Sequence, residues 1–146
     1  MFVFLMGNML PVIFFHTHFA KEYSQKNCTG DLHIYMNGKH MKIRALVDTG
    51  NRLYEPITGK PVCLVEYKSV RRYLDLRFLN SRTWLIPYHT IGNNKGMLWG
   101  ITADKVIFQN KWRKKMKSGC ILALYHGNIS VSGDVCAIVH PDILEK

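Results

Sequence analysis

The stretch RALVDTGN, Arg44 to Asn51, runs from an apolar strand straight into a carboxylate, a hydroxyl residue and a glycine. A carboxylate at the end of a buried strand is costly unless hydrogen bonds hold it, and the turn that follows can supply them. Thr49 offers a hydroxyl, and Gly50 brings its amide close with no Cβ in the way. The turn therefore presents Asp48. One aspartate alone is a base at best, whereas amide hydrolysis by an acid and base pair needs an acceptor for a water proton and a donor for the leaving group. Two aspartates about 3 Å apart meet both needs, because like charges so close cannot both ionise and one proton is shared. The chain holds one DTG, so the second copy has to come from a second chain across a two-fold axis. The competing reading is an ordinary Asp-containing β-turn with Gly50 at a positive-φ position.

Upstream of the turn, Leu32, Ile34 and Met36 alternate with polar residues, and so do Met41, Ile43 and Ala45, with Asn37-Gly38 between them. That pattern predicts a hairpin with a type I′ turn, whose two central residues need positive φ. Its second strand leads directly into Asp48. Downstream, a turn at Thr58-Gly59 and a strand from about Val62 to Tyr67 are expected, then one short helix over SVRRYLDLRFL with Ser69 as its cap. Further strands are predicted at RTWLIPYHTI, GMLWGIT, KVIFQ, CILALYH and CAIVH. A closing helical turn follows, with Pro141 at its first position. Seven or more short strands and one or two helices predict a mainly β fold, a compact and closed antiparallel barrel.

The chain has 146 residues, of which 47% are hydrophobic and 21% charged. That length and balance fit one folded domain and not a disordered tail. Cys28, Cys63, Cys120 and Cys136 form no CxxC pair and no ligand-like spacing with histidine, so no zinc site, redox motif or cofactor is indicated and a reduced compartment is the simpler reading. His16 and His18 lack partners for a metal site. The net charge of +10 favours acidic partners or anionic surfaces. Its densest run, Lys111 to Gly119, reads as a solvated loop between strands, and an acidic protein or a membrane face would suit it equally. No helix-turn-helix, zinc finger or RNA-binding aromatic motif accompanies the charge, so nucleic acid is not expected. Residues 1–15, MFVFLMGNMLPVIFF, are mostly apolar but short of the about 20 that a membrane span needs, and they lack the form of a secretory signal. Residues 1–30 are accordingly read as an apolar segment and linker, and 31–146 as the functional domain. The segment fits a membrane remnant, an interfacial anchor, or a strand and loop buried in a dimer. Lysines after it would hold the rest on the cytoplasmic side of a membrane.

From the hairpin to ALVDTGN, the sequence resembles the retropepsin-like aspartic proteases. More narrowly, LVDTGNRLYEPITGKPVCLVE, IPYHTIGNNKGMLWGITADKV and CAIVHPDIL are similar to the sporulation sigma-E factor processing peptidases of spore-forming bacteria, over about residues 30 to 146. The resemblance implies a retropepsin-like barrel working as a homodimer, with Asp48 as the catalytic aspartate and Thr49, Gly50 and Asn51 as its active-site turn. It also implies a sigma factor precursor as substrate, an activating signal protein, and a place on the cytoplasmic face of the cell membrane. The flap expected of that fold falls at IGNNKGM, with Gly92 and Gly96 as hinges, although the same residues suit a plain hairpin turn. The glycine that backs the active-site turn from the opposite strand is assigned to Gly127. The alternative is a non-catalytic basic β-domain that binds nucleic acid or protein, with DTG as a structural turn; a third reading is a retropepsin-like domain with another substrate.

Overall fold

In a computed structural model, residues 28–75, 83–90 and 93–145 of the chain are described. The first two strands, β1 (Thr29–Met36) and β2 (Lys39–Val47), pair antiparallel with Met36 opposite Lys39. Between them Asn37 and Gly38 have φ of 54° and 75°, the two positive values that a type I′ turn requires. The alternation expected of β1 is present, since Leu32, Ile34 and Met36 are buried while Asp31, His33 and Tyr35 are not.

After the loop that carries Asp48 come β3 (Val62–Glu66), a single helical turn α1 (Tyr67–Val70) and a 3-10 turn at Arg71–Tyr73. The hairpin β4 (Thr83–Thr90) and β5 (Asn93–Thr102) follows, then the hairpin β6 (Lys105–Gln109) and β7 (Lys114–Ser118). The chain continues through β8 (Ile121–Tyr125) and β9 (Ala137–Val139), and Pro141–Leu144 form the closing 3-10 turn with proline at its start, as expected. All belong to one nine-stranded sheet in the order β4-β5-β8-β3-β9-β2-β1-β6-β7.

Three expectations are corrected. The sheet is curled but open, with β4 and β7 as its edges, and two of its pairings, β2 with β9 and β3 with β8, are parallel. The run Lys111–Gly119 is not a loop throughout, because Lys114 to Ser118 form the edge strand β7. A lysine-rich strand is stable at an edge, where charged side chains reach water and block pairing with another chain. Ser69 does not cap a helix. The strand β3 passes straight into α1 at Tyr67, and Ser69 Oγ donates instead to the Glu66 carboxylate at 3.4 Å.

Both faces of the sheet are packed. Leu32, Ile34, Val65, Phe108, Leu122 and Val139 belong to one buried cluster, and Leu46, Leu64, Ile86, Ile121 and Ile138 to a second. The central strand β3 is buried along its whole length, as a strand covered on both faces must be. Pro87, which cannot donate to a ladder, sits in β4 at the edge where no neighbour needs its amide. Residues 1–15, with His16 and His18, lie outside the described residues. Among the described residues no helix is long and apolar enough to cross a membrane.

Candidate active site

Asp48 is the first residue past β2, and the site follows from how that strand is held. β2 lies between β1 and β9, so its end is fixed on both sides, and the Asp48 amide continues the ladder by donating to the Val139 carbonyl at 3.3 Å. The chain then reverses, with the Asn51 amide donating to the Asp48 carbonyl at 3.0 Å. The Asp48 side chain is buried, and its Oδ1 accepts the Gly50 amide at 2.9 Å. A backbone N–H given to a carboxylate favours its ionised form and fixes its orientation.

Gly50 serves this approach directly. A Cβ at position 50 would stand 3.3 Å from Asp48 Oδ1 and 3.6 Å from Oδ2. Among the described residues the positive-φ glycines are Gly38, Gly59, Gly119 and Gly133, so Gly50 is not there for a left-handed conformation. That removes positive φ as the reason for glycine and leaves the close approach of the carboxylate; the Asp48 Oδ1 bond to the Gly50 amide two residues on is itself that of an Asp turn, which both readings contain.

Asn51 is completely buried. Its Nδ2 donates to the Val62 carbonyl at 3.1 Å and its Oδ1 accepts the Leu53 amide at 2.9 Å. The asparagine thus ties the floor of the turn to the start of β3. Thr49 and Gly50 are exposed between the buried Asp48 and Asn51. The loop therefore shows two small residues outward while both of its polar anchors point in.

A second group of residues braces the turn from the C-terminal side, and none of it was anticipated from sequence. His140, the residue after β9, is fully buried. Its Nδ1 accepts the Asp142 amide at 3.1 Å and caps the closing turn, so the ring proton sits on Nε2. The His140 ring meets Tyr54 edge-on at 4.7 Å, and the Tyr54 hydroxyl donates to Asp142 at 2.9 Å. Residues just after the Asp48 turn are in this way bound to residues just after the strand beside it. Burial lowers the His140 pKa below its usual value, against the raising effect of Asp142. A histidine before Pro-Asp gives a weak capping signal, but nothing local in the sequence reveals its burial.

Two buried glutamates hold the loops on either side. Glu55 accepts from the Ile57 amide at 2.9 Å and from both the amide and hydroxyl of Thr58 at 2.6 Å, closing the turn that Gly59 completes at φ 72°. Burial pushes the Glu55 pKa up, yet these hydrogen bonds outweigh it and the net shift is downward. Glu66 accepts the Ile129 amide at 2.7 Å and so fastens the segment between β8 and β9 to β3.

The remaining assignments divide. Gly96 lies in β5 opposite Tyr88, whose ring occupies the space a Cβ would need, so this glycine packs against an aromatic face within the β4–β5 hairpin. Gly92 lies outside the described residues. At Gly127 a Cβ would meet the Tyr125 ring at 2.5 Å, and the strand hydrogen-bonded beside Asp48 is β9. Cys63 and Cys120 are buried free thiols, the Cys120 Sγ donating to the Cys63 Sγ at 4.0 Å without a disulfide.

The arrangement offers a buried, oriented carboxylate beside an exposed turn, on a strand held from both sides. The family model described as Sporulation factor SpoIIGA matches residues 1–143. The chain is 24% identical over 168 aligned positions to the sporulation sigma-E factor-processing peptidase of Bacillus subtilis strain 168, covering 97% of this chain and 54% of that protein. It is 22% identical over 133 positions to the protein of the same name from Priestia megaterium, covering 78% of this chain and 43% of that one. The chain thus spans about half the length of these curated relatives. No solved structure matches it. With the match running through the hairpin, the Asp48 turn and the closing turn alike, the chain belongs to the sporulation factor SpoIIGA peptidase family.

Proposed function

We propose that this chain is an aspartic endopeptidase that removes the N-terminal pro-sequence of an inactive sporulation sigma factor, with Asp48 acting beside the Asp48 of a second copy. The observation that carries the proposal is the Asp48 carboxylate at the end of a central strand, oriented by the Gly50 amide at 2.9 Å. The names of the relatives support a sigma factor precursor as the substrate.

In the pair the two carboxyl groups share one proton. The ionised member takes a proton from water, whose oxygen attacks the scissile carbonyl carbon. The protonated member gives its proton to the carbonyl oxygen, forming a gem-diol. Cleavage of the C–N bond then sends a proton to the leaving nitrogen, the carbonyl re-forms, and the pair is left again with one proton. No cofactor is required.

Substrate would lie as an extended strand over the turns, held through its main chain, beneath the β4–β5 hairpin acting as a retropepsin-like flap. Residues 1–15 would hold the enzyme at the cytoplasmic face of the membrane, and an activating signal protein would promote the dimer.

The test is cleavage of a purified sigma factor precursor. Asp48→Asn, which keeps the shape and can still accept the Gly50 amide, is expected to keep the wild-type circular dichroism spectrum and to lose all detectable cleavage. Persistent cleavage by Asp48→Asn would exclude this mechanism. A non-catalytic basic domain predicts no cleavage by either protein.

A further inference from the structure

We propose that the tip and edge strand of the β6–β7 hairpin form a docking surface for an anionic lipid bilayer, on the side of the domain where the N-terminal chain enters. Three observations converge on this surface, and none of them involves Asp48.

The first is charge. From Lys105 to Gly133 the chain has no acidic residue, while Lys111, Arg113, Lys114, Lys115 and Lys117 crowd the hairpin. Such clusters are drawn to anionic lipid headgroups, each cation near the surface contributing about fivefold in binding.

The second is the apolar content set among those charges. Trp112 at the tip is 59% exposed and Met116 on the edge strand 60%. Lys111 Nζ lies 5.8 Å from the Trp112 ring centroid. An exposed indole beside lysines suits the headgroup region, where the ring enters the interface and the long side chains keep their charges in water.

The third is position. Asn110 Oδ1 accepts the amides of Trp112 and Arg113 at 2.9 and 3.0 Å, which fixes the tip. Asn110 Nδ2 donates to the Thr29 carbonyl at 3.1 Å, and Thr29 begins β1. The tip is therefore bonded to the first residue of β1, which in sequence follows the apolar residues 1–15 and the linker after them. A short apolar segment gives weak, reversible attachment, and a neighbouring basic patch is the second signal that makes it stable. An acidic protein would satisfy the charge but gives no role to the exposed Trp112 and Met116 set among it, so the bilayer is the occupant the observations favour.

The experiment is flotation of the full chain with vesicles of phosphatidylcholine alone and of phosphatidylcholine with phosphatidylglycerol. Two double variants carry the same change of net charge: Lys111→Glu with Arg113→Glu at the tip, and Lys39→Glu with Lys105→Glu at the opposite end of β1. Wild type is expected to prefer the anionic vesicles. The tip variant is expected to lose about thirtyfold of that binding and the control pair less than about threefold, while both keep the wild-type circular dichroism spectrum. Trp112→Ala is expected to weaken binding to both kinds of vesicle. Equal binding to neutral and anionic vesicles, or equal losses in the two double variants, overturns the proposal. So does a tip variant that floats like wild type but no longer binds poly-glutamate, which would identify an acidic protein as the partner.

Discussion

Replacing Asn51 by alanine strands two buried backbone groups, the Leu53 amide and the Val62 carbonyl, that its side chain now satisfies. Each unpaired buried group costs about 1–3 kcal/mol, so Asn51→Ala is expected to destabilise the fold by about 2–4 kcal/mol in urea titration and to disorder the Asp48 turn. A change below about 0.5 kcal/mol would mean that the asparagine is not an anchor. His140 supplies a pH dependence at the same scale. Its folded pKa lies below the usual histidine value, so the unfolded chain takes up a proton first as the pH falls. The stability linked to His140 is therefore full above about pH 6.5 and declines as the pH drops below it towards the folded pKa. Protonation would also remove the acceptor that caps Asp142. Urea midpoints measured from pH 7.5 to 5.5 should fall for wild type and fall less steeply for His140→Asn.

At the scale of elements, Gly96→Ala places a methyl group against the Tyr88 ring inside the β4–β5 hairpin. Overpacking of this kind costs about 1–3 kcal/mol. If the hairpin covers substrate, the variant should lose cleavage activity through KM as well as stability; normal stability with normal KM would remove Gly96 from the hairpin's function. The elements also show what the sequence makes legible. The β1–β2 hairpin could be read because Asn-Gly is a local signal with a single good backbone solution, and Asp48 could be placed because that hairpin ends beside it. The parallel pairings of β2 with β9 and β3 with β8 could not, since register between distant strands leaves no local pattern. The strand β7 was hidden because lysine disfavours strands in general yet is suited to an edge. At the site, Asp48, Thr49, Gly50 and Asn51 were visible as a motif. The bracing by His140, Tyr54 and Asp142 was not, because it depends on residues about ninety positions apart meeting in space.

For the whole molecule, the distribution of charge and the single copy of the DTG turn are what the proposals rest on. The charge gathers on one hairpin next to the N-terminal entry, and the acid comes singly. On the proposed reading each chain contributes one DTG aspartate, Asp48, so catalysis would depend on a second chain, which separates it from a monomeric enzyme with the same fold. The most direct test mixes wild type with the folded Asp48→Asn chain at fixed total concentration and measures cleavage of the sigma factor precursor after the subunits have exchanged. If each active unit needs Asp48 from both copies, an equal mixture should retain about one quarter of the wild-type rate, because random pairing leaves only that share as wild-type pairs. A rate of about one half, falling in direct proportion to the wild-type fraction, would show that each chain works alone and would contradict the account.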